Sequence, residues 1–191
     1  MTAVILAAGL SRRFGKDKLL ADIGGKPMVL HVIELVAGLG FHNTILVYRQ
    51  EEVKRLAKGH KIQCVYNAHA EEGLSTSVVC AVKNAPQDDS YIFFPGDQPS
   101  IDKETVTALK DAYYSGLGTI IVPAYRGRKG SPVIFDYSWK AALMLLDGDT
   151  GGRCIIENNP DEVYMVVVKK PEVLFDIDTQ EDYLNMIQFW K

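Results

Sequence analysis

Three short stretches of the chain carry residue types able to act on a phosphate. The first is Leu6-Ala7-Ala8-Gly9-Leu10-Ser11-Arg12-Arg13-Phe14-Gly15-Lys16-Asp17-Lys18. Two glycines, a serine and four basic side chains in one loop offer free backbone amides and cations to phosphate oxygens. Lys18 reads as an exposed cation of that loop. The spacing excludes a P-loop, since five residues rather than four separate Gly9 from Gly15 and Asp17 stands where a hydroxyl would meet magnesium. A dinucleotide-binding G-x-G-x-x-G is absent as well. The second stretch is Phe94-Pro95-Gly96-Asp97-Gln98-Pro99. An aspartate leaving an apolar run, framed by glycine and prolines, is placed either to hold magnesium on a phosphate or to close a turn. The third is Asp176-Ile177-Asp178, whose alternation would put both carboxylates on one face of an extended segment. Only one of them need reach a crevice, and Asp178 could instead cap the helix that follows. Cations and carboxylates without a Ser-His or Cys-His pair suit metal-assisted chemistry on phosphate.

Such loops need a scaffold, and the pattern supplies one. Short β-rich runs at 3–6, 44–48, 62–66, 91–94 and 119–122 alternate with helical patterns at 27–37, 51–57, 75–84, 102–114 and 137–146. Pro27 suits the first turn of the first helix. The unbroken apolar character of Val4-Ile5-Leu6 and Ile92-Phe93-Phe94 fits strands covered on both faces. A polar Gly/Pro segment over 123–132, a strand at 133–135, a Gly-rich loop at 147–152 and a strand at 163–168 follow. Thr179 and Asp182 have capping-box spacing ahead of a last helix. The alternation predicts a single-domain α/β fold with a doubly wound, mostly parallel sheet. The first and second stretches then leave the C-terminal ends of strands, where such sheets bind ligands.

Composition narrows the possibilities. With 191 residues, 47% hydrophobic and 24% charged, the chain suits one domain with a proper core. Its net charge of −3 argues against a general nucleic-acid binder. Residues 1–30 nonetheless carry five Lys or Arg against two Asp, a local excess suited to a small anion. No stretch approaches the roughly 18 uncharged apolar residues of a membrane helix, and the N-terminus lacks a secretory pattern, so a cytoplasmic protein without a membrane segment is expected. Cys64, Cys80 and Cys154 have neither zinc nor disulfide spacing and read as reduced thiols filling core space. The four histidines fall on separate predicted elements.

Taken in order, the motifs resemble the molybdenum-cofactor nucleotidyltransferases, specifically the cytidylyltransferase (MocA) branch of the MobA-like family. The match rests on Leu6-Ala7-Ala8-Gly9-x-Ser11-x-Arg13-Phe14-Gly15-x-x-Lys18, Gly96-Asp97-Gln98-Pro99, Lys129-Gly130-Ser131-Pro132-Val133-Ile134-Phe135, Gly148-Asp149-Thr150-Gly151-Gly152-Arg153 and Asp176-Ile177-Asp178-Thr179-x-x-Asp182-Tyr183. It covers nearly the whole chain. The resemblance implies a Rossmann-like nucleotidyltransferase fold with a nucleotide-binding half, 1–100, and an acceptor-binding half, 101–191. It assigns Arg13, Lys18 and Asp97 to catalysis, with Leu6, Ala7, Ala8, Gly9, Ser11, Arg13, Lys18, Gly73 and Ser77 on the nucleotide. Gly130, Ser131, Pro132, Gly148, Asp149, Gly151 and Arg153 would meet the acceptor, and Asp97 with Asp178 would hold Mg2+. Phe14 stands where methionine is usual, Ser131 where histidine is common and Gly152 where alanine is.

The implied reaction transfers CMP from CTP to the terminal phosphate of molybdenum cofactor, releasing pyrophosphate. A molybdoenzyme or its maturation factor would take the product. Rival readings are a transferase using a sugar or alditol phosphate or GTP, and a non-catalytic maturation chaperone. Ala8, where guanylyltransferases of the family carry glycine, leads to an expectation of CTP preference, its methyl narrowing the slot beside the base.

Overall fold

The fold is described from a computed structural model covering residues 1–11, 14, 17–87 and 89–190, with Phe189 described for its backbone alone. Its elements are β1 (Thr2–Ala7), β2 (Asp22–Ile23), β3 (Lys26–Pro27), α1 (Met28–Gly38), β4 (Asn43–Tyr48), α2 (Glu51–Leu56), β5 (Gln63–Tyr66), α3 (Leu74–Asn84) and β6 (Tyr91–Pro95). Then come α4 (Lys103–Tyr114), β7 (Ile120–Tyr125), β8 (Arg128–Lys129), β9 (Val133–Phe135), α5 (Lys140–Met144), α6 (Arg153–Asn158), β10 (Val163–Val167) and α7 (Gln180–Phe189).

The main sheet runs β10-β7-β9-β6-β1-β4-β5, with β8 added to β7. Strand β9 is antiparallel to both β6 and β7, while β1, β4, β5, β6 and the β7–β10 pair run parallel. Alternation along β1 feeds two cores. Ala3, Ile5 and Ala7 face a cluster with Val29, Ile33 and Val53, whereas Val4 and Ala8 face one with Val78, Val82 and Leu143. Helices therefore cover both faces, and the doubly wound α/β expectation holds.

The chain winds from β1 outward to β4 and β5, then returns to add β6 on the other side of β1. That reversal opens a crevice at the C-terminal ends of β1 and β6, the position at which α/β sheets bind ligands. Both phosphate-suited loops emerge there, tied by a bond from Gly96 N to Leu6 O of 3.0 Å.

Some elements differ from the sequence expectation. Pro27 sits at the N-cap of α1, outside its first turn, because it closes the β2–β3 hairpin. Helix α6 was not expected after the Gly-rich loop; it is six residues long, and its stability comes from burying Ile155 and Ile156. The predicted capping box is present: Asp182 N donates to Thr179 Oγ1 at 3.1 Å and Thr179 N to Asp182 Oδ2 at 2.8 Å. Among the described residues no helix is long and apolar enough to cross a membrane. The three cysteines are free and partly buried against the two cores.

Candidate functional site

β1 delivers its loop into the crevice by packing. Ala7 and Ala8 are each 2% exposed, so the strand end is fixed from below, while among the described residues nothing lies within 4 Å of where a Gly9 Cβ would stand. Ser11 takes a left-handed φ of 50°, and its buried Oγ has no hydrogen-bond partner among the described residues. Phe14 anchors the far side of the loop in a cluster with Ile23, Met28, Ile177 and Met186, its ring edge-on to Tyr183. Gln180 Nε2 donates to Phe14 O at 3.1 Å, so α7 clasps the loop. Arg13 lies outside the described residues. The Ala8 methyl packs into the core instead of facing open space, which corrects the expectation of a methyl wall beside a base. Contact of Ala8 with a ligand would run through its backbone.

Lys18 is buried, 9% exposed, and corrects the expectation of an exposed loop cation. Its Nζ lies 2.6 Å from Asp97 Oδ2 and 2.8 Å from Asp178 Oδ1. Burial works against the charged ammonium, but the two carboxylates outweigh it and hold its pKa above the usual lysine value. Three motifs far apart in sequence thus meet at one nitrogen. The meeting is built by the backbone as well: Ile177 N donates to Asp97 O at 3.3 Å, docking the C-terminal stretch onto the β6 loop. Asp178 does not cap α7, since Thr179 does.

Asp176 is the neighbour whose role the sequence left open. Gln98 Nε2 donates to its Oδ1 at 2.5 Å. One side of Asp176 opens to solvent and the protein crowds the rest. That desolvation raises its pKa, and the charges of Asp97 and Asp178 push the same way. Gln98 itself, buried at 2% exposure, attracted no attention in the sequence beyond its place in the motif.

From Gln98 and Asp176 a cleft of about 910 Å³ extends across the sheet. Its floor is apolar, with Val78, Phe93, Val133, Phe135, Leu143 and Ile156, and its rim is charged, with Arg128, Lys129, Asp149, Arg153 and Glu157. Among the residues expected to meet an acceptor, Gly130, Ser131, Asp149, Gly151 and Arg153 line it, whereas Pro132 and Gly148 sit in the same loops without being part of the wall. The cleft depends on missing side chains. A Cβ at Gly152 would lie 2.6 Å from Phe135 Cζ, one at Gly130 2.5 Å from Leu174 Cδ2, and one at Gly151 2.9 Å from Leu74 Cδ2. Rim residues Arg128 and Lys129 and the wall residue Cys154 were not singled out as site residues by sequence reasoning; only their neighbours in the Gly-rich motifs pointed to them.

Gly73 and Ser77 belong to a different network. Gly73 adopts φ 120° and packs so closely on Gly148 that a Cβ would lie 2.2 Å from the Gly148 carbonyl oxygen. Gly148 O accepts from Ser75 N at 3.2 Å and from Ser75 Oγ at 2.7 Å, closing the start of α3. Ser77 is buried, its Oγ accepting from Asn67 Nδ2 at 3.0 Å. The expected nucleotide loop and the expected acceptor loop are therefore in direct contact, and the Ser77 hydroxyl is engaged inside the protein.

Comparison with known proteins agrees with this architecture. Over 114 residues the chain is 34% identical to the bifunctional protein GlmU of Carboxydothermus hydrogenoformans, a match covering 57% of this chain and 25% of that one. The chain thus matches about a quarter of that relative's length. The crystal structure of Rv0371c from Mycobacterium tuberculosis superposes with a TM-score of 0.82 at 25% identity, covering 98% of both chains. Rv0371c has also been solved in complex with manganese. A nucleotidyl transferase from Methanothermobacter, Mth528, shares the fold with a TM-score of 0.84 at 23% identity, covering 99% of this chain and 96% of that one. Residues 3–163 match the family described as the MobA-like NTP transferase domain, so the chain belongs to that family of nucleotidyltransferases.

Proposed function

We propose that the chain is a magnesium-dependent cytidylyltransferase that joins CMP from CTP to the terminal phosphate of molybdenum cofactor and releases pyrophosphate. The observation that carries the reading is the continuity of two features: the Lys18–Asp97–Asp178 cluster at the sheet crossover and the cleft that begins beside it at Gln98 and Asp176. A charged end suits a triphosphate and a metal; an apolar floor with Arg128 and Lys129 on a rim of mixed charge suits a flat heterocycle bearing a phosphate.

The residues fit a hard cation. Two carboxylate oxygens already converge on one positive centre, the Lys18 ammonium, at contact distance. Among the described residues no group of three His, Cys, Asp or Glu side chains is arranged to hold a metal. Magnesium commonly takes one or two protein carboxylates and completes its shell with water and substrate phosphates, so Asp97 and Asp178 would hold it. When bound, it supplies positive charge to the α-phosphate and the leaving pyrophosphate. With a metal on the carboxylates, Lys18 would direct its charge to the phosphate chain; Arg13, which lies outside the described residues, is proposed to do the same. An acceptor phosphate is already ionised at neutral pH, so the chain needs to align it and neutralise charge, not to remove a proton. In this reading residues 1–100 form the nucleotide half and 101–191 the acceptor half of one domain, with Gly73 and the Gly148 loop at their seam. Reaction in the cytoplasm and delivery of the product to a molybdoenzyme complete the proposal.

The test incubates the protein with magnesium, each α-labelled NTP and molybdenum cofactor, and follows pyrophosphate and labelled dinucleotide. A cytosine dinucleotide with CTP preferred is expected. Product from GTP alone, or only with a sugar or alditol phosphate as acceptor, would replace the specific assignment, and the absence of turnover with every pair would favour the chaperone reading.

A further inference from the structure

β10 ends the main sheet, and among the described residues no strand pairs with its outer edge. An unpaired edge presents a row of backbone donors and acceptors, and proteins usually blunt it with a lysine, a proline or a bulge. β10 reads Val163-Tyr164-Met165-Val166-Val167, with no such device in its five residues. Its side chains are exposed as well: Val167 by 82%, Met165 by 48% and Tyr164 by 39%. Beside them runs a shallow groove of about 530 Å³ against α4, with Ala108, Ala112, Leu117 and Val166 among its walls. The opposite edge, β5, opens on an exposed polar Gln63.

We infer that β10 pairs with β10 of a second copy of this chain in an antiparallel, two-fold dimer. The occupant follows from charge. Asp161 and Glu162 precede the strand and Lys169 and Lys170 follow it. An antiparallel self-pairing centred on Met165 sets Val163 opposite Val167 and brings the acidic end of each strand against the basic end of the other. A strand with opposite charges at its two ends and none between is complementary to itself only in this direction, and a two-fold axis uses the same patch on both partners. The present partners of the lysines, Glu104 for Lys169 at 3.1 Å and Asp102 for Lys170 at 3.8 Å, are surface pairs that contribute little and can be exchanged. The sheet would continue through both copies, leaving the crevice at β1 and β6 free in each.

Sedimentation velocity on the whole chain over a range of concentrations tests this. Wild type is expected to show a reversible monomer–dimer equilibrium. Val167→Lys, at a site already exposed, should give monomer alone, with the melting temperature that wild type shows at concentrations low enough to dissociate the dimer. Lys169→Glu should weaken the dimer roughly two- to fivefold, and adding Asp161→Lys should restore it. A wild type that stays monomeric throughout, a Val167→Lys dimer as tight as wild type, or a double variant no tighter than Lys169→Glu would each overturn the inference.

Discussion

At the crossover of the sheet, an ammonium and two carboxylates hold one another in place, whereas the neighbouring cleft is held open by glycines pressed against Phe135, Leu174 and Leu74. The first region is an electrostatic arrangement in which each charge needs the others. The second is a packing arrangement in which the decisive feature is what is missing. The two should therefore fail differently when altered: the first through charge and metal, the second through shape.

The largest effect is expected from Asp97→Asn, which keeps the shape of the β6 loop but removes a charge that a hard cation requires; magnesium-dependent nucleotidyl transfer should be lost. Lys18→Ala comes next, with turnover lowered at least about tenfold, equivalent to about 1.4 kcal/mol of transition-state stabilisation. Because Lys18 is buried between Asp97 and Asp178, its removal also leaves two carboxylates facing each other, so the melting temperature should fall in chelator and recover when magnesium is added. Recovery by magnesium separates an electrostatic role from a packing one, and thermal melts in the two buffers measure it.

Gly152→Ala probes the cleft. The added methyl would meet Phe135, and overpacking of this kind costs about 1–3 kcal/mol where neighbours cannot yield. The KM for the acceptor should rise while the KM for the nucleotide stays near wild type, which steady-state kinetics with each substrate varied in turn would reveal. The smallest effect is a gain. Asp176 has a folded-state pKa raised above the ordinary 3.8, so its ionised form costs stability at neutral pH. That cost vanishes as the pH falls below the ordinary value and the group is protonated in both states. Asp176→Asn, whose amide oxygen can still accept from Gln98, should raise the melting temperature near pH 7 and give no gain near pH 3.

The same division explains what could be read from sequence. Strands β1 and β6 were legible because their unbroken apolar runs reflect burial on both faces, and the capping box of α7 because its chemistry is local. Lys18, Asp97 and Asp178 were legible as types, yet their convergence was not: a contact spanning 160 residues in sequence leaves no local trace. Lys18 looked like a solvent-exposed cation because burial of a lysine depends on partners supplied from elsewhere. Gly152 read only as a departure from a family pattern, since the Phe135 ring that forbids a side chain there lies 17 positions earlier. Helix α6 is not legible because six residues show too little periodicity, and the Asn67–Ser77 hydrogen bond joins positions whose pairing has no sequence signature.

Asp178 is the residue on which a metal role and a structural role predict opposite results. Thr179 caps α7, so Asp178→Asn should leave the helix intact, while the buried Lys18 ammonium loses one of its two charged partners and the melting temperature falls. The decisive measurement is turnover of this variant against magnesium concentration. A raised magnesium requirement and at least about tenfold slower transfer at saturation are expected; a magnesium dependence and rate matching wild type would contradict the sharing of one cation by Asp97 and Asp178.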